Sequence, residues 1–199
     1  MSILSVFAVP RVVVLGGVLS DEEWDVLIQL GAERMKPSLV VADGLSQREP
    51  HAGRTSSDAF LQRGMCDVVA RVEARLAALV NWPVERGEGL QILQYDQGGE
   101  YKPHFDWFDP DSPGGRLHLA HGGQRVGTIV MYLNDAEKGG STIFPKLGLQ
   151  VMPKKGNAVF FANTGEFGQP DEMALHGGEP VVAGVKHVAT KWLRTREFV

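Results

Sequence analysis

The spacing of apolar positions divides the chain into a helical opening and a strand-rich remainder. Residues 11–15 are apolar and β-branched and stop at Gly16 and Gly17, which predicts a short strand. Ser20 stands three residues before Glu23, the spacing of a capping box in which the hydroxyl accepts a helical N–H and the carboxylate reaches back to the cap. Trp24, Leu27 and Ile28, continued through residues 30–35, then supply the apolar face of a first helix. Residues 38–42 predict another strand. Residues 43–57, rich in Gly, Ser, Arg and His, have no period and read as a surface loop. Val68, Val69, Val72, Leu76, Leu79 and Val80 recur at helical spacing, so a second amphipathic helix ends near Asn81, Trp82 and Pro83.

From Leu90 onward the texture changes to short β-like runs divided by Gly, Pro and Asn. Strands are predicted over 90–95, 101–106, 126–133, 141–144, 149–152, 158–162, 174–176 and 185–194, and residues 107–124 read as a long mobile segment. Helices first and many short strands afterwards predict an α+β chain whose strands close into a jelly roll or barrel, because closure covers the sheet edges. There is no internal repeat. The expected organisation is one domain over 1–199, with 1–85 as supporting helices and strands and 86–199 as the β core.

Composition narrows the setting. At 199 residues and 43% hydrophobic, the chain is long enough for one substantial core. A net charge of −4 advertises no large phosphate-binding surface, so nucleic acid is not an expected partner. Cys66 is the single cysteine, which excludes an intrachain disulfide and, with no signal-like start, predicts a reducing, cytoplasmic setting. No apolar run is long enough to span a bilayer, so no membrane partner is expected. Nothing in the composition speaks to oligomeric state.

The candidate chemistry centres on His104-x-Asp106. Residues two apart on a strand share a face, so an imidazole and a carboxylate there can hold one metal ion. His176, far downstream and followed at short spacing by Lys186, is the best third ligand. Two histidines and one carboxylate leave the opposite face of an octahedral ion open, as in non-haem Fe(II) oxygenases. Taken singly, each residue has an ordinary explanation: a solvated His–Asp pair, a surface lysine, core aromatics with a satisfied polar tip. His118 and His121 form a rival pair within a Gly-rich stretch and are assigned to a substrate-side loop or to solvent. His51 and Arg54 read as exposed polar residues of the 43–57 loop, Cys66 as a small buried hydrophobe, and His187 as facing away from Lys186.

An ordered set of motifs runs through these residues: Arg54-Thr55-Ser56, Tyr95, Tyr101-x-x-His104-x-Asp106, Arg125-x-x-Thr128-x-x-Met131-Tyr132-Leu133-Asn134-Asp135, Gly139-Gly140-Ser141-Thr142-x-Phe144-Pro145, His176-x-Gly178-x-Pro180-Val181-x-x-Gly184-x-Lys186, and Trp192. The set resembles the catalytic domain of prolyl 4-hydroxylases, Fe(II)- and 2-oxoglutarate-dependent dioxygenases, over nearly the whole chain. The resemblance implies a double-stranded β-helix (cupin-like jelly roll) with the N-terminal helices packed on its major sheet. It implies Fe(II) on His104, Asp106 and His176, and 2-oxoglutarate held through its far carboxylate by Lys186, with Tyr95 and Thr142 as donors and Tyr132 as a further candidate. Tyr101 and Arg125 match positions near the target peptide, and Trp192 walls the pocket. O2 is the other co-substrate, ascorbate restores oxidised iron, and succinate and CO2 are the co-products.

The chain is similar to bacterial stand-alone relatives, which makes a prolyl residue in a peptide or protein the leading target. Glu179 stands where many relatives have cysteine and Arg194 where some plant-type members have histidine, which bears on the peptide bound and not on the iron chemistry. A hydroxylase of a free amino acid or small metabolite would keep every metal and co-substrate residue. A nucleic-acid demethylase would want a basic groove. A non-redox, cupin-like metal-binding protein would have no need of Lys186.

Overall fold

The chain's structure is a computed structural model that describes residues 1–9, 11–38, 40–41, 48–49 and 53–199. Helix α1 (Asp21–Ala32) begins where its capping box predicts. Glu23 accepts the Ser20 backbone N–H at 2.9 Å, and Arg75 reaches the same carboxylate at 2.6 Å from α2 (Asp67–Val80). That second helix ends through Asn81 in the left-handed conformation (φ 51°), a stop that asparagine tolerates, before Pro83 is reached. A third helix, α3 (Pro113–Ala120), starts under the Ser112 hydroxyl, which accepts from Gly115 N at 2.9 Å.

In chain order the strands are β1 (Ser2–Phe7), β2 (Val12–Gly16), β3 (Lys36–Pro37), β4 (Val40–Val41), β5 (Arg48–Glu49), β6 (Ser57–Leu61), β7 (Leu90–Tyr95), β8 (Tyr101–His104), β9 (Arg125–Tyr132), β10 (Lys138–Gly139), β11 (Thr142–Phe144), β12 (Leu149–Val151), β13 (Ala158–Ala162), β14 (His176–Gly178), β15 (Val181–Ala183) and β16 (Lys186–Arg194). Among the described residues an eight-stranded sheet runs β1-β2-β13-β9-β16-β7-β6-β3, and a four-stranded sheet runs β12-β11-β14-β8. Two apolar clusters tie these layers together. Phe144 and Val151 of the small sheet pack with Leu93, Tyr132, Phe161 and Val188 of the large one, closing the double-stranded β-helix. On the other face of the large sheet, Leu27 of α1 and Val69, Val72 and Leu76 of α2 cover Ile92, Ile129, Met131 and Ala189. Period-two alternation sorts neighbours such as Ile92 and Leu93 between these cores. Gly31 lets α1 lie close on the sheet, since a Cβ there would meet Ile92 Cγ2 at 2.6 Å.

Several expectations are corrected. The first helix stops at Ala32, so Met35 lies beyond it. Within the strand expected over 38–42 the described residues hold the two-residue strand β4, and positions 39 and 42 lie outside the described residues. β1 and β6 carry no clean alternation in sequence: β1 is exposed through most of its length, and β6 turns polar Asp58 toward the inner face. Strand β8 ends at His104, so Asp106 lies past the strand. The run expected over 174–176 is a 3₁₀ turn, Glu172–Ala174, leading into β14. The N-terminal strands β1 and β2 extend the eight-stranded sheet at one end, and β6 and β3 extend it at the other. His51 and most of the predicted 43–57 loop lie outside the described residues.

Candidate active site

Antiparallel pairing of β8 with β14 sets His104 directly opposite His176, with ring centroids 4.4 Å apart. Asp106, just past the end of β8, turns back between them. One carboxylate oxygen lies 3.7 Å from His104 Nε2 and the other 3.6 Å from His176 Nε2. The three ligand atoms lie within 4.8 Å of one another, the cluster of this kind among the described residues. A single first-row ion with bonds of about 2.1 Å needs donor separations of about 3 Å, so a small inward movement completes the site.

The backbone settles which imidazole nitrogen faces the centre. His104 Nδ1 lies 2.9 Å from the Lys102 carbonyl and His176 Nδ1 3.0 Å from the Ala174 carbonyl. A carbonyl only accepts, so each Nδ1 carries the proton and each Nε2 presents its lone pair. Burial, and then the neighbouring His176, push the His104 pKa down to about 3, so its ring is neutral at physiological pH. Burial works to raise the Asp106 pKa, but His176, His104 and Arg125, with the Thr128 hydroxyl donating, hold it at about 2. The donor set is therefore two imidazoles that turn Nε2 to the centre and one carboxylate, which fits Fe(II).

Asp106 is also supported from behind, by residues to which sequence reasoning gave no such part. Its Oδ2 accepts from Thr128 Oγ1 at 2.7 Å and from Trp192 Nε1 at 2.9 Å. Thr128 was visible in the motif without a role, and Trp192, expected only as a pocket wall, also fixes a ligand. Arg125 lies over the Trp192 ring at 3.7 Å and is bound by Glu88 through two contacts of 2.6 and 2.9 Å. Tyr101 stacks on the His104 ring at 3.6 Å, and the Arg54 guanidinium lies over the Tyr101 ring, 4.8 Å from its centroid.

Lys186, only 4% exposed, opens β16 opposite Tyr95. Its amine lies 5.3 Å from the Tyr95 ring and has no hydrogen-bond or ion-pair partner among the described residues. Burial pushes its pKa down to about 8. An unpaired buried cation calls for an anion, and the carboxylate of a keto-diacid is one. Thr142 lines the same cleft, whereas Tyr132 is displaced from the predicted role. Its hydroxyl donates to Thr142 Oγ1 at 2.8 Å from a fully buried position, so it supports Thr142 from behind. Tyr95 lines the cleft with its hydroxyl bonded to Ser56, and burial pushes its pKa up to about 12. His187 faces Gln94, on the side away from Lys186 as expected.

The segment 107–124 is not the loose loop its glycines suggest. Arg194, fully buried, donates to Glu88 at 3.0 Å and to the His118 and His121 carbonyls, closing the C-terminal end of α3. The Gln124 side chain both donates to and accepts from the Phe108 backbone, closing the base of the excursion. The His118 ring stacks on Phe108 at 4.8 Å. A low-propensity Pro-Gly-Gly start thus becomes a helix because capping and tertiary bonds hold it.

Glu88 unites this wall with Arg125. Burial raises its pKa, but Arg125 and Arg194 outweigh that and hold it below the ordinary glutamate range. Its stabilisation is complete above that range and is lost as pH falls through the depressed value. Glu88→Ala leaves both guanidinium groups unpaired and is expected to cost about 3–5 kcal/mol, read as a lower urea midpoint at neutral pH. A midpoint within error of wild type would contradict the pairing.

Two imidazoles, a carboxylate and a buried free cation define the site of a mononuclear non-haem metal oxygenase. The 2OG-Fe(II) oxygenase superfamily matches residues 90–194. Probable prolyl 4-hydroxylase 6 of Arabidopsis thaliana is 42% identical over 208 residues, covering 95% of this chain and 70% of that protein. Prolyl 4-hydroxylase 5 of the same plant is 39% identical, with the same shares. Among solved structures, the 2OG complex of the viral collagen prolyl hydroxylase from Paramecium Bursaria Chlorella virus-1 superimposes with a TM-score of 0.72 at 27% identity, covering 92% of this chain and 95% of that one. The chain belongs to the 2OG-Fe(II) oxygenase superfamily and, within it, to the prolyl 4-hydroxylases. It is a 2-oxoglutarate-dependent dioxygenase whose cofactor is Fe(II) and whose co-substrates are 2-oxoglutarate and O2.

Proposed function

We propose that this enzyme hydroxylates a prolyl residue within a peptide or protein, with succinate and CO2 as co-products. The observation that carries the reading is the shape of the cleft. It is open, about 1190 Å³, and runs from Lys186 past His104, Asp106 and His176 to Arg54 on one side and Trp107 on the other. A trough of that extent suits a chain passing over the metal, where a free amino acid would want a closed pocket. The relatives named prolyl 4-hydroxylases and the viral collagen prolyl hydroxylase support the same substrate class.

In this reading His104, Asp106 and His176 hold Fe(II), which supplies the oxygen chemistry when bound. Lys186 holds the far carboxylate of 2-oxoglutarate, with donors from Thr142 and Tyr95, and Tyr132 orients the Thr142 hydroxyl. Tyr101, Arg125 and Trp192 border the place of the target residue, and Asp106 stays ionised between its two donors. Ascorbate serves as the reductant for oxidised iron. The bacterial catalytic-domain type is supported at the level of fold by a Pseudomonas putida prolyl-4-hydroxylase, which aligns over 93% of this chain and 92% of that one with a TM-score of 0.65 at 18% identity. A reducing, cytoplasmic setting is supported by Cys66, a free cysteine and the only one in the chain. No helix among the described residues is long and apolar enough to cross a membrane.

The test is a panel of prolyl peptides and free proline, incubated with Fe(II), 2-oxoglutarate and ascorbate and followed by succinate release and mass spectrometry. One oxygen added to a peptide prolyl residue, with free proline inert, is the expected result. Turnover of free proline at the rate of the best peptide would refute the assignment to a peptide.

A further inference from the structure

Among the described residues the carboxylate of Asp106 is gripped on one oxygen only. Thr128 Oγ1 and Trp192 Nε1 both donate to Oδ2, at 2.7 and 2.9 Å, and together they use the lone pairs that oxygen offers in the carboxylate plane. Oδ1, the oxygen nearest His104 Nε2, is the one left with lone pairs to give.

Behind Thr128 stands Asn163, and both residues are fully buried. The Asn163 amide donates through Nδ2 to Thr128 Oγ1 at 2.9 Å. An NH2 group only donates, so it takes an acceptor lone pair of the hydroxyl and leaves the single hydroxyl proton to point at Asp106. Turning the amide over would draw that proton to Asn163 and strip Asp106 of a donor. Asn163 Oδ1 has no partner among the described residues, so the hydrogen bond that the amide makes is the one to Thr128. The pair rests on the large sheet: Thr128 is on β9, paired with Phe161 of β13, and Asn163 follows β13, its N–H bonded to Val126 O at 2.9 Å and its carbonyl accepting from Asp171 N at 3.0 Å.

We propose that Asn163 and Thr128 are positioning residues that hold Asp106 as a one-oxygen metal ligand, occupying Oδ2 with a directed proton donor so that Oδ1 is presented to the ion. This rests on reading His104, Asp106 and His176 as the metal ligands. Without the Thr128 donor only Trp192 Nε1 still holds Oδ2, so the carboxylate is less firmly fixed in the orientation that gives Oδ1 to the ion, and the ion is bound less tightly.

The test uses Co(II) alone, titrated calorimetrically into the metal-free protein, with apo melting measured alongside. Thr128→Val keeps the shape and removes the hydroxyl, and it is expected to weaken Co(II) binding roughly 10- to 100-fold. Thr128→Ser restores the hydroxyl and is expected to stay within about threefold of wild type, on the same scale. Asn163→Leu, which leaves the hydroxyl free to turn, is expected to fall between them. A merely structural role moves melting and affinity together and is not rescued by serine. Wild-type affinity in Thr128→Val, or equal weakening in Thr128→Ser and Thr128→Val, overturns the proposal. Failure of the wild-type protein to bind Co(II) overturns the metal site itself, a result distinguishable because it requires no comparison of variants.

Discussion

Lys186→Ala raises the KM for 2-oxoglutarate by roughly 10²–10³-fold, the equivalent of leaving one partner of a buried charge pair alone. Lys186 is 4% exposed, and burial outweighs the favourable pull of the Glu179 carboxylate on its amine, so the free protein gains little from its charge. The apo variant should therefore melt no lower than wild type, while co-substrate binding collapses. That combination separates a ligand-binding lysine from a structural one. It also separates the oxygenase from a non-redox cupin-like metal protein, in which the same substitution leaves activity intact. The pH dependence has a definite sign. Burial lowers the free amine to about 8, below its ordinary value, and a carboxylate binds only the protonated form. Affinity for 2-oxoglutarate should be nearly level below that pH and fall as pH climbs through it, measured as KM from succinate release. An affinity that rises from pH 7 to 9 would contradict the assignment.

Replacing any one of His104, Asp106 or His176 by alanine is expected to reduce peptide-dependent succinate release on the order of 10³-fold or more, and replacing two should cost little beyond one. The three donors converge on one centre, so each is required for the same ion. The imidazole protons are committed to the Lys102 and Ala174 carbonyls, so neither ring has a second geometry available. Steady-state rates for the single and double variants decide the matter. Independent, multiplying losses would mean that the side chains do not serve one ion.

The residues whose chemistry is singular were legible in the sequence, and those whose role depends on register were not. His104, Asp106, His176 and Lys186 are recognisable by type and spacing, and strand pairing does bring them to one cleft. Tyr132 is a different matter. It shares the inner face with the pocket residues, but the pairing of β9 with β16 places its hydroxyl behind Thr142, and no pattern in the chain reveals which of the two oxygens faces the cavity. The same holds for Trp192, whose ring was expected to wall the pocket. That its indole N–H points at Asp106 depends on the packing of the Arg125 guanidinium above it. The helix α3 is hidden because its glycines read as a loose loop, and what holds it is the Ser112 cap at one end and the distant Arg194 at the other. The amphipathic helices α1 and α2 were plain, because burial against one flat sheet imposes one apolar face.

The claim on which the rest depends is tested most directly by a crystal structure of the protein grown with Mn(II) and 2-oxoglutarate in the absence of oxygen. The account predicts a single anomalous peak bounded by His104 Nε2, His176 Nε2 and one oxygen of Asp106, with the distal carboxylate of the keto-diacid against Lys186 Nζ. A metal bound elsewhere, or a diacid that leaves Lys186 untouched, would contradict it.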